Sequence, residues 1–187
     1  MSQKPGIVIT PLRPEQAADF LRFFDHERGA AFADNPQWAK CYCHYYQLPK
    51  SIRWASLSAP QNRTSMQARI EVGEMEGYLA YDGAEVVGWV NAQPRHKLPH
   101  CFARLGISPT PLACAPFEAA AIVCFVIAPT QRRRGIARAA VRRARIIRRA
   151  RHQARRCLSI QVRRQRARRR SLPRPAADLP RCGVQRT

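Results

Sequence analysis

The spacing of apolar and polar positions predicts alternating short helices and strands along the first part of the chain. Residues 7–10 alternate weakly between the two classes, which suits a first strand. Residues 14–24 begin with a proline and an acid and then place apolar side chains at helical spacing, which predicts a helix. A second helix is predicted over residues 62–72, with Met66 and Ile70 on its inner face.

Two apolar, aromatic-rich runs farther along the chain predict a β-hairpin. They cover residues 78–81 and 86–92, and Asp82 and Gly83 form the turn between them. Asp-Gly between two such runs is a strong hairpin signal because glycine adopts the backbone conformation that tight turns need. The hairpin therefore supplies two neighbouring strands of the predicted sheet.

A proline-rich stretch and an apolar run follow the hairpin. Residues 93–117 predict a long loop, of the kind that often carries function. Residues 119–127 are continuously apolar and of strand length, which is typical of a strand buried on both faces. After Pro129 the chain favours a helix with one small apolar stripe. The stripe consists of Ala137, Ala140, Val141, Ala144 and Ile147.

Net charge divides the chain into two unequal parts. Residues 1–131 contain 12 Lys and Arg against 11 Asp and Glu, which leaves a net charge of +1. Residues 132–187 contain 21 Arg, no Lys and one acid, Asp178, which leaves +20. Within this basic segment, residues 157–162 suit one further strand, and residues 163–187 predict a disordered tail rich in Arg and Pro.

Cysteine and histidine spacing predicts neither a disulfide framework nor a metal site. Seven cysteines are present, an odd number with scattered spacing, which favours reduced thiols. Cys41 and Cys43 form CxC without a second pair, and the histidines show no metal-ligand spacing. No apolar run approaches the roughly 20 residues of a membrane helix, and no secretory signal is recognisable. We therefore expect a cytoplasmic protein that binds no metal and no membrane.

The segment from Ile127 to Ala137 carries the clearest chemical signal. A buried strand is predicted to end there, a tight turn to follow, and a helix to begin. The first amides of a helix have no internal partner and lie at the positive end of the helix dipole. Because a diphosphate binds favourably at such a position, and Gly135 leaves the backbone open to approach, the segment predicts a pyrophosphate site. Its arginines add positive charge for the phosphates.

This segment resembles motif A of the GNAT superfamily of N-acetyltransferases, whose core is Arg/Gln-x-x-Gly-x-Gly/Ala after an apolar strand. The alternative interpretation is an ordinary strand-to-helix turn with surface arginines. The upstream order of helices, hairpin and strand also resembles the GNAT order, over residues 7–141, and is similar to a bacterial subgroup of the family. The matching core residues are Arg132, Arg133, Arg134, Gly135, Ile136 and Ala137.

The resemblance implies one domain over residues 7–162, of the α+β or mixed α/β class, with a central mixed β-sheet flanked by helices. Its C-terminal part is expected to be incomplete or disordered. The implied reaction is direct attack of an amine on the thioester of acetyl-CoA, the expected co-substrate. Phe125, Val126 and Ile127 would pair with the pantetheine arm of that molecule, and the motif A residues would hold the pyrophosphate through backbone amides.

The resemblance also suggests catalytic and acceptor residues. Glu118, just before the apolar strand, is the candidate general base, and a solvated loop residue is the alternative interpretation. Many GNAT enzymes protonate the leaving thiolate with a tyrosine in a later helix, but no tyrosine follows Tyr81 here. The acceptor pocket is expected among aromatic and polar residues that ordinary packing would also explain. These are Trp38, Tyr45, Tyr46 and Asn91.

Three alternatives stay open at this point. A change of reading frame near residue 140 of a GC-rich gene would also produce the arginine bias, and translating the other frames tests it. The Arg-rich tail suits phosphate contacts with nucleic acid, although it has no aromatic residues for base stacking. A catalytically inactive GNAT-like protein that only binds CoA is the third. The acceptor itself, a small-molecule or peptide amine, is not readable from the sequence.

Overall fold

The computed structural model describes residues 6–25, 29–106 and 119–144, and these residues form one sheet with helices packed on it. The chain divides into two compact units, residues 1–148 and residues 149–187, and all the described residues belong to the first unit. The predicted strand at residues 157–162 and the predicted tail at residues 163–187 lie outside the described residues.

The described strands form an antiparallel sheet in chain order, β1 (Val8–Pro11), β2 (Tyr78–Asp82), β3 (Glu85–Pro94) and β4 (Ala120–Ile127). The helices are α1 (Ala17–Phe24), α2 (Ala59–Glu71) and α3 (Cys101–Leu105), and residues 136–144 form α4. The mixed α/β fold class predicted from the sequence is confirmed. The described strands are all antiparallel, and the further strand predicted at residues 157–162 lies outside the described residues.

The first two helices follow from local sequence signals. Pro14 opens a short 3-10 turn that leads into α1, whose buried face confirms the predicted helix. The second helix begins at Ala59, three residues before the predicted start. The side chains of Ser58 and Gln61 form a capping box there, in which Gln61 Oε1 accepts from the Ser58 amide at 2.8 Å. A Ser-x-x-Gln pattern before a helical run is a sequence signal for this cap.

The hairpin is confirmed, with its turn one residue later than predicted. Asp82 and Glu85 are paired across the two strands, so Gly83 and Ala84 form the loop. Gly83 has a φ of +63°, which glycine adopts without the steric cost of a Cβ.

The long loop predicted for residues 93–117 is wrong for its first part. The third strand runs on through Pro94, because the Arg95 amide donates to Ala119 O at 3.0 Å and continues the pairing. A 3-10 turn and α3 follow within the described residues, and residues 107–118 lie outside them.

The prediction that the apolar run is buried on both faces is also wrong. Ile122 and Phe125 of β4 are 38% and 45% exposed, whereas Val126 is buried. In the part of the sheet that the structure describes, β4 pairs with β3 on one side and forms the edge on the other. The continuous apolar run therefore predicts a strand correctly, but it does not predict that the strand is fully buried.

The sheet separates two apolar clusters. On one face, α1 and α2 pack their aromatic and aliphatic side chains against Leu79 and Trp89, and the Phe20 ring lies edge-on to the Trp89 ring at 5.0 Å. On the other face, small residues of α4 pack against Tyr78 and Val90. This second cluster holds α4 against the sheet.

Candidate active site

The turn between β4 and α4 starts from a buried and hydrogen-bonded point. Ala128 is 2% exposed, and its amide donates to Val87 O at 3.0 Å, one step beyond the last pair of the β3–β4 ladder. A 3-10 turn over Pro129–Gln131 follows, closed by the Gln131 amide donating to Ala128 O at 2.8 Å. The chain therefore leaves the sheet in a defined direction.

Two left-handed residues then reverse the backbone into the helix. Arg133 has a φ of +63° and Gly135 a φ of +76°. The first helical bond joins the Ala139 amide to Gly135 O at 3.0 Å. The amides of Ile136, Ala137 and Arg138 therefore have no acceptor inside the helix. Nothing lies within 4 Å of the position that a Cβ on Gly135 would take, so the space beside the residue that precedes the helix is open.

The start of α4 is held on the sheet by one buried side chain. Ile136 is 3% exposed and packs against Ala80 and Val87, with Ile127 beside it. Burying an isoleucine side chain contributes about 1.5–3 kcal/mol to stability. This contact holds the start of α4 against the sheet, close to the end of β4.

The arginine side chains of this segment are arranged differently from the sequence expectation. Arg132 forms a two-point ion pair with Asp34, with Nη2 donating to Oδ1 at 3.0 Å. Arg134 Nη1 donates to Asp82 Oδ2 at 2.8 Å and also contacts Gln131. The hydrogen bond from Arg132 holds the pKa of the Asp34 carboxyl below its ordinary value. Two of the three arginines are therefore engaged by carboxylates of the protein itself.

The residues expected at the acceptor pocket fall into separate environments. Tyr45 and Tyr46 are half-buried, and their rings meet edge-on at 5.4 Å. Trp38 is 63% exposed, and its ring lies 6.3 Å from the ring of Phe32. Asn91 is fully buried. The structure thus brings the two tyrosines together and places the tryptophan in a surface aromatic contact.

Asn91 links the sheet to the segment that carries these tyrosines. Its Nδ2 donates to Cys43 Sγ at 3.2 Å, and its Oδ1 accepts from Gln93 Nε2 at 2.8 Å. Asn91 is paired with Cys124 of β4, and the register shifts immediately after this pair. Because the partner of the next residue, Ala92, is Ile122, β4 carries one extra residue there. Such bulges are frequent beside active sites.

The thiols of Cys41 and Cys43 have little reactivity as nucleophiles at neutral pH. Burial and a hydrogen bond with Cys124 raise the pKa of Cys43 well above its ordinary value. Burial raises the pKa of Cys41 to about 12. Since the thiolate is the nucleophilic form of cysteine, neither residue is suited to covalent catalysis at neutral pH.

Burial also raises the pKa of Tyr46 to about 12, with smaller effects from nearby thiols that include Cys124. Its phenol therefore stays protonated at neutral pH and is able to donate a hydrogen bond. Cys41, Cys43 and Tyr46 are therefore uncharged at neutral pH.

The structure contains a buried pair of His44 and Asn62 that the sequence did not predict. His44 Nδ1 lies 2.8 Å from Asn62 Oδ1, and Asn62 Nδ2 donates to Lys40 O at 2.8 Å. Because the amide nitrogen of Asn62 is the donor to that carbonyl, its oxygen accepts from His44, and the imidazole carries its proton on Nδ1. Burial lowers the pKa of His44, and the Asn62 contact opposes this only in part.

Acidification is expected to reduce the stability of the protein through His44. The buried imidazole resists protonation, whereas the unfolded chain takes up a proton near the ordinary pKa of 6.5. The unfolded state thus binds more protons, and the free energy of unfolding falls as the pH drops below about 6.5. Urea denaturation at pH 7.5 and 5.5 measures this loss. A His44→Gln variant should lose less between the two pH values, and His96→Gln, at an exposed position, should behave as wild type.

The described residues include neither the candidate base nor a metal site nor a membrane-spanning helix. Glu118 lies outside the described residues. Among residues 6–25, 29–106 and 119–144, no group of three or more potential ligands is arranged to hold a metal ion. The helices in those ranges include none with the length and apolar character of a membrane span.

Comparison with known proteins identifies a family and includes a structural likeness to a solved protein. Residues 37–172 match the model of the acetyltransferase (GNAT) family, so the match covers more than half of the chain. No curated protein matches this chain. A GCN5-related N-acetyltransferase from Ralstonia eutropha JMP134 is similar in structure, with 17% sequence identity and a TM-score of 0.42. That alignment covers 79% of this chain and 78% of the other.

Proposed function

This chain belongs to the GNAT family of acetyltransferases, and from that premise we propose that it transfers an acetyl group from acetyl-CoA to an amine. Family membership implies acyl transfer from an acyl-CoA to an acceptor. The observation that supports a CoA thioester most directly is the turn after β4, where three amides at the positive end of α4 have no acceptor inside the helix and the space beside Gly135 is open.

The turn suits the diphosphate group of acetyl-CoA. The amides of Ile136, Ala137 and Arg138 would donate to its oxygens, and Gly135 leaves room for them. The pantetheine arm would then run along Phe125, Val126 and Ile127, at the edge of the described sheet. An arm in that position would carry the thioester toward the bulge at residues 122–124.

The reaction needs few groups from the protein. A neutral amine attacks the thioester carbonyl, the carbon–sulfur bond breaks, and the CoA thiolate takes up a proton as the amine loses one. Holding both substrates side by side supplies much of the rate. We assign the acceptor side to Tyr45, Tyr46 and Asn91, and Glu118 remains the candidate base.

The acceptor is proposed to be a small-molecule or peptide amine, and the location the cytoplasm. The protonated thiols of Cys41 and Cys43 and the protonated phenol of Tyr46 suit an uncharged amine. Binding of nucleic acid through the Arg-rich segment is the second proposal. It depends on residues outside the described ranges, and retention on DNA that falls steeply with salt would support it.

Binding and turnover assays on the full chain test the proposed function. Calorimetry should detect acetyl-CoA binding, and chromatography should detect free CoA and acetylated product with at least one member of an amine panel. Chromatographic detection is preferable to a thiol reagent because the protein has seven cysteines of its own. Binding without turnover would identify an inactive CoA-binding protein, and the absence of binding would contradict the proposal.

A further inference from the structure

We propose that Asp34 is a positioning residue for the phosphate-binding turn. In this proposal Arg132 holds the turn in place through its ion pair with Asp34 and does not bind phosphate. This inference rests on the proposed function and concerns the same site. It assigns the pyrophosphate to backbone amides alone on this side of the turn. It also gives a role to a carboxylate that lies 98 positions away in the sequence.

The Arg132 guanidinium is committed on all three of its nitrogens. Its Nε donates to Ile127 O at 3.3 Å, and its two Nη groups donate to the two oxygens of Asp34. A two-point arginine–carboxylate pair fixes orientation as well as distance. The side chain therefore spans from the last residue of β4 to Asp34, and it cannot reach a phosphate without breaking this pair.

Asp34 is itself part of an anchored turn. The Ala31 amide donates to Phe23 O at 3.0 Å, and the Asn35 amide donates to Phe32 O at 2.9 Å. The Phe32 ring lies 5.8 Å from the ring of Phe24 in the core. The ion pair consequently connects the phosphate turn to a segment that is fixed on α1.

The turn needs this ion pair because the backbone at residues 132 and 133 gives little support to its own conformation. Arg132 is extended, and Arg133 adopts a left-handed conformation that is unfavourable for a residue with a Cβ. A turn held only by weak backbone contacts populates several conformations, and ordering it on binding then costs part of the ligand's affinity. The pair between Arg134 and Asp82 supports the other side in the same way.

The size of the effect follows from the exposure of the pair. The side chains of Arg132 and Asp34 are 47% and 39% exposed, so solvent screens their attraction. We therefore expect a change of about 2- to 5-fold in affinity for acetyl-CoA when the pair is broken.

A double-mutant cycle on the full chain shows whether Arg132 supports the turn through Asp34 or binds phosphate directly. Asp34→Asn, Arg132→Gln and the double variant are each expected to raise the Kd and KM for acetyl-CoA by the same roughly 2- to 5-fold. The kcat and the KM for the amine should be unchanged. The charge-swapped variant, Asp34→Arg with Arg132→Asp, should recover part of the affinity. Glu74→Gln, which breaks an exposed pair with Arg69, is the matched control and should bind as wild type.

Hydrogen exchange of the turn amides gives a readout that does not need the ligand. In Asp34→Asn, the amides of residues 133–138 should exchange faster than in wild type, while those of α2 should not change. If Asp34→Asn tightens acetyl-CoA binding, or leaves it unchanged while Arg132→Gln weakens it, Arg132 is a phosphate ligand and the inference is wrong. If wild type binds no acetyl-CoA, the proposed function fails, and unchanged exchange in Asp34→Asn overturns this inference separately.

Discussion

Substituting Gly135 by Glu is expected to weaken acetyl-CoA binding at least about 100-fold, a loss of about 2.7 kcal/mol. No atom lies within 4 Å of the Cβ position, so the new side chain would enter the space that faces the free amides of α4. Its carboxylate would occupy the positive end of the helix dipole in place of the diphosphate. Calorimetry at one fixed salt concentration measures the change.

Gly73→Glu is the matched control for this variant. Gly73 follows α2, has a φ of +70° against +76° at Gly135, and likewise has nothing within 4 Å of a Cβ position. Both variants therefore carry the same charge change and a similar backbone penalty of about 1–2 kcal/mol. Only Gly135→Glu should lose acetyl-CoA binding. Equal losses in the two variants, or wild-type affinity in Gly135→Glu, would contradict the assignment of the site.

The largest effect on stability is expected from Gly77→Ala, a loss of about 3 kcal/mol in the free energy of unfolding. A Cβ at residue 77 would lie 2.0 Å from Trp89 Cη2 and 2.6 Å from Val90 O. The indole is fully buried and packs against Phe20, so it has no room to move. Urea denaturation followed by tryptophan fluorescence measures the loss.

Two further variants show whether that loss comes from the indole. Gly6→Ala adds a Cβ with nothing within 4 Å and should change stability by less than about 0.5 kcal/mol. Trp89→Phe removes the outer ring of the indole, which contains the Cη2 atom that the new Cβ would meet. The double variant Gly77→Ala with Trp89→Phe should therefore lose less than the sum of the two single losses. Strict additivity would be inconsistent with the packing described.

Elements with a strong sequence period were predictable, and their environment was less so. The hairpin and the apolar run of β4 follow from alternation and turn residues, which depend on neighbours in the chain. The exposure of Phe125 does not, because it depends on which elements cover the outer side of β4. The early start of α2 was readable from the pattern of Ser58 and Gln61, a local signal that the helical period alone does not contain.

The same distinction holds for the candidate site. The order of strand, proline, glycine and helix predicted the turn at which we propose that a diphosphate binds, since that backbone geometry belongs to one short segment. The arginines of that segment were expected to contact the phosphates. Their partners, Asp34 and Asp82, come from distant segments, and no spacing in the sequence connects them. The pairing of His44 with Asn62 was hidden for the same reason.

If the ion pair between Arg132 and Asp34 supports the turn as proposed, the two positions should vary together among related sequences. A neutral residue at position 34 would leave the guanidinium without its partner, and a neutral residue at position 132 would leave an exposed carboxylate near the phosphates. Substitutions at one position should therefore be accompanied by substitutions at the other among related sequences. Relatives that carry Gln in place of Arg132 should consequently lack an acid at position 34, a covariation that an alignment of homologues would reveal.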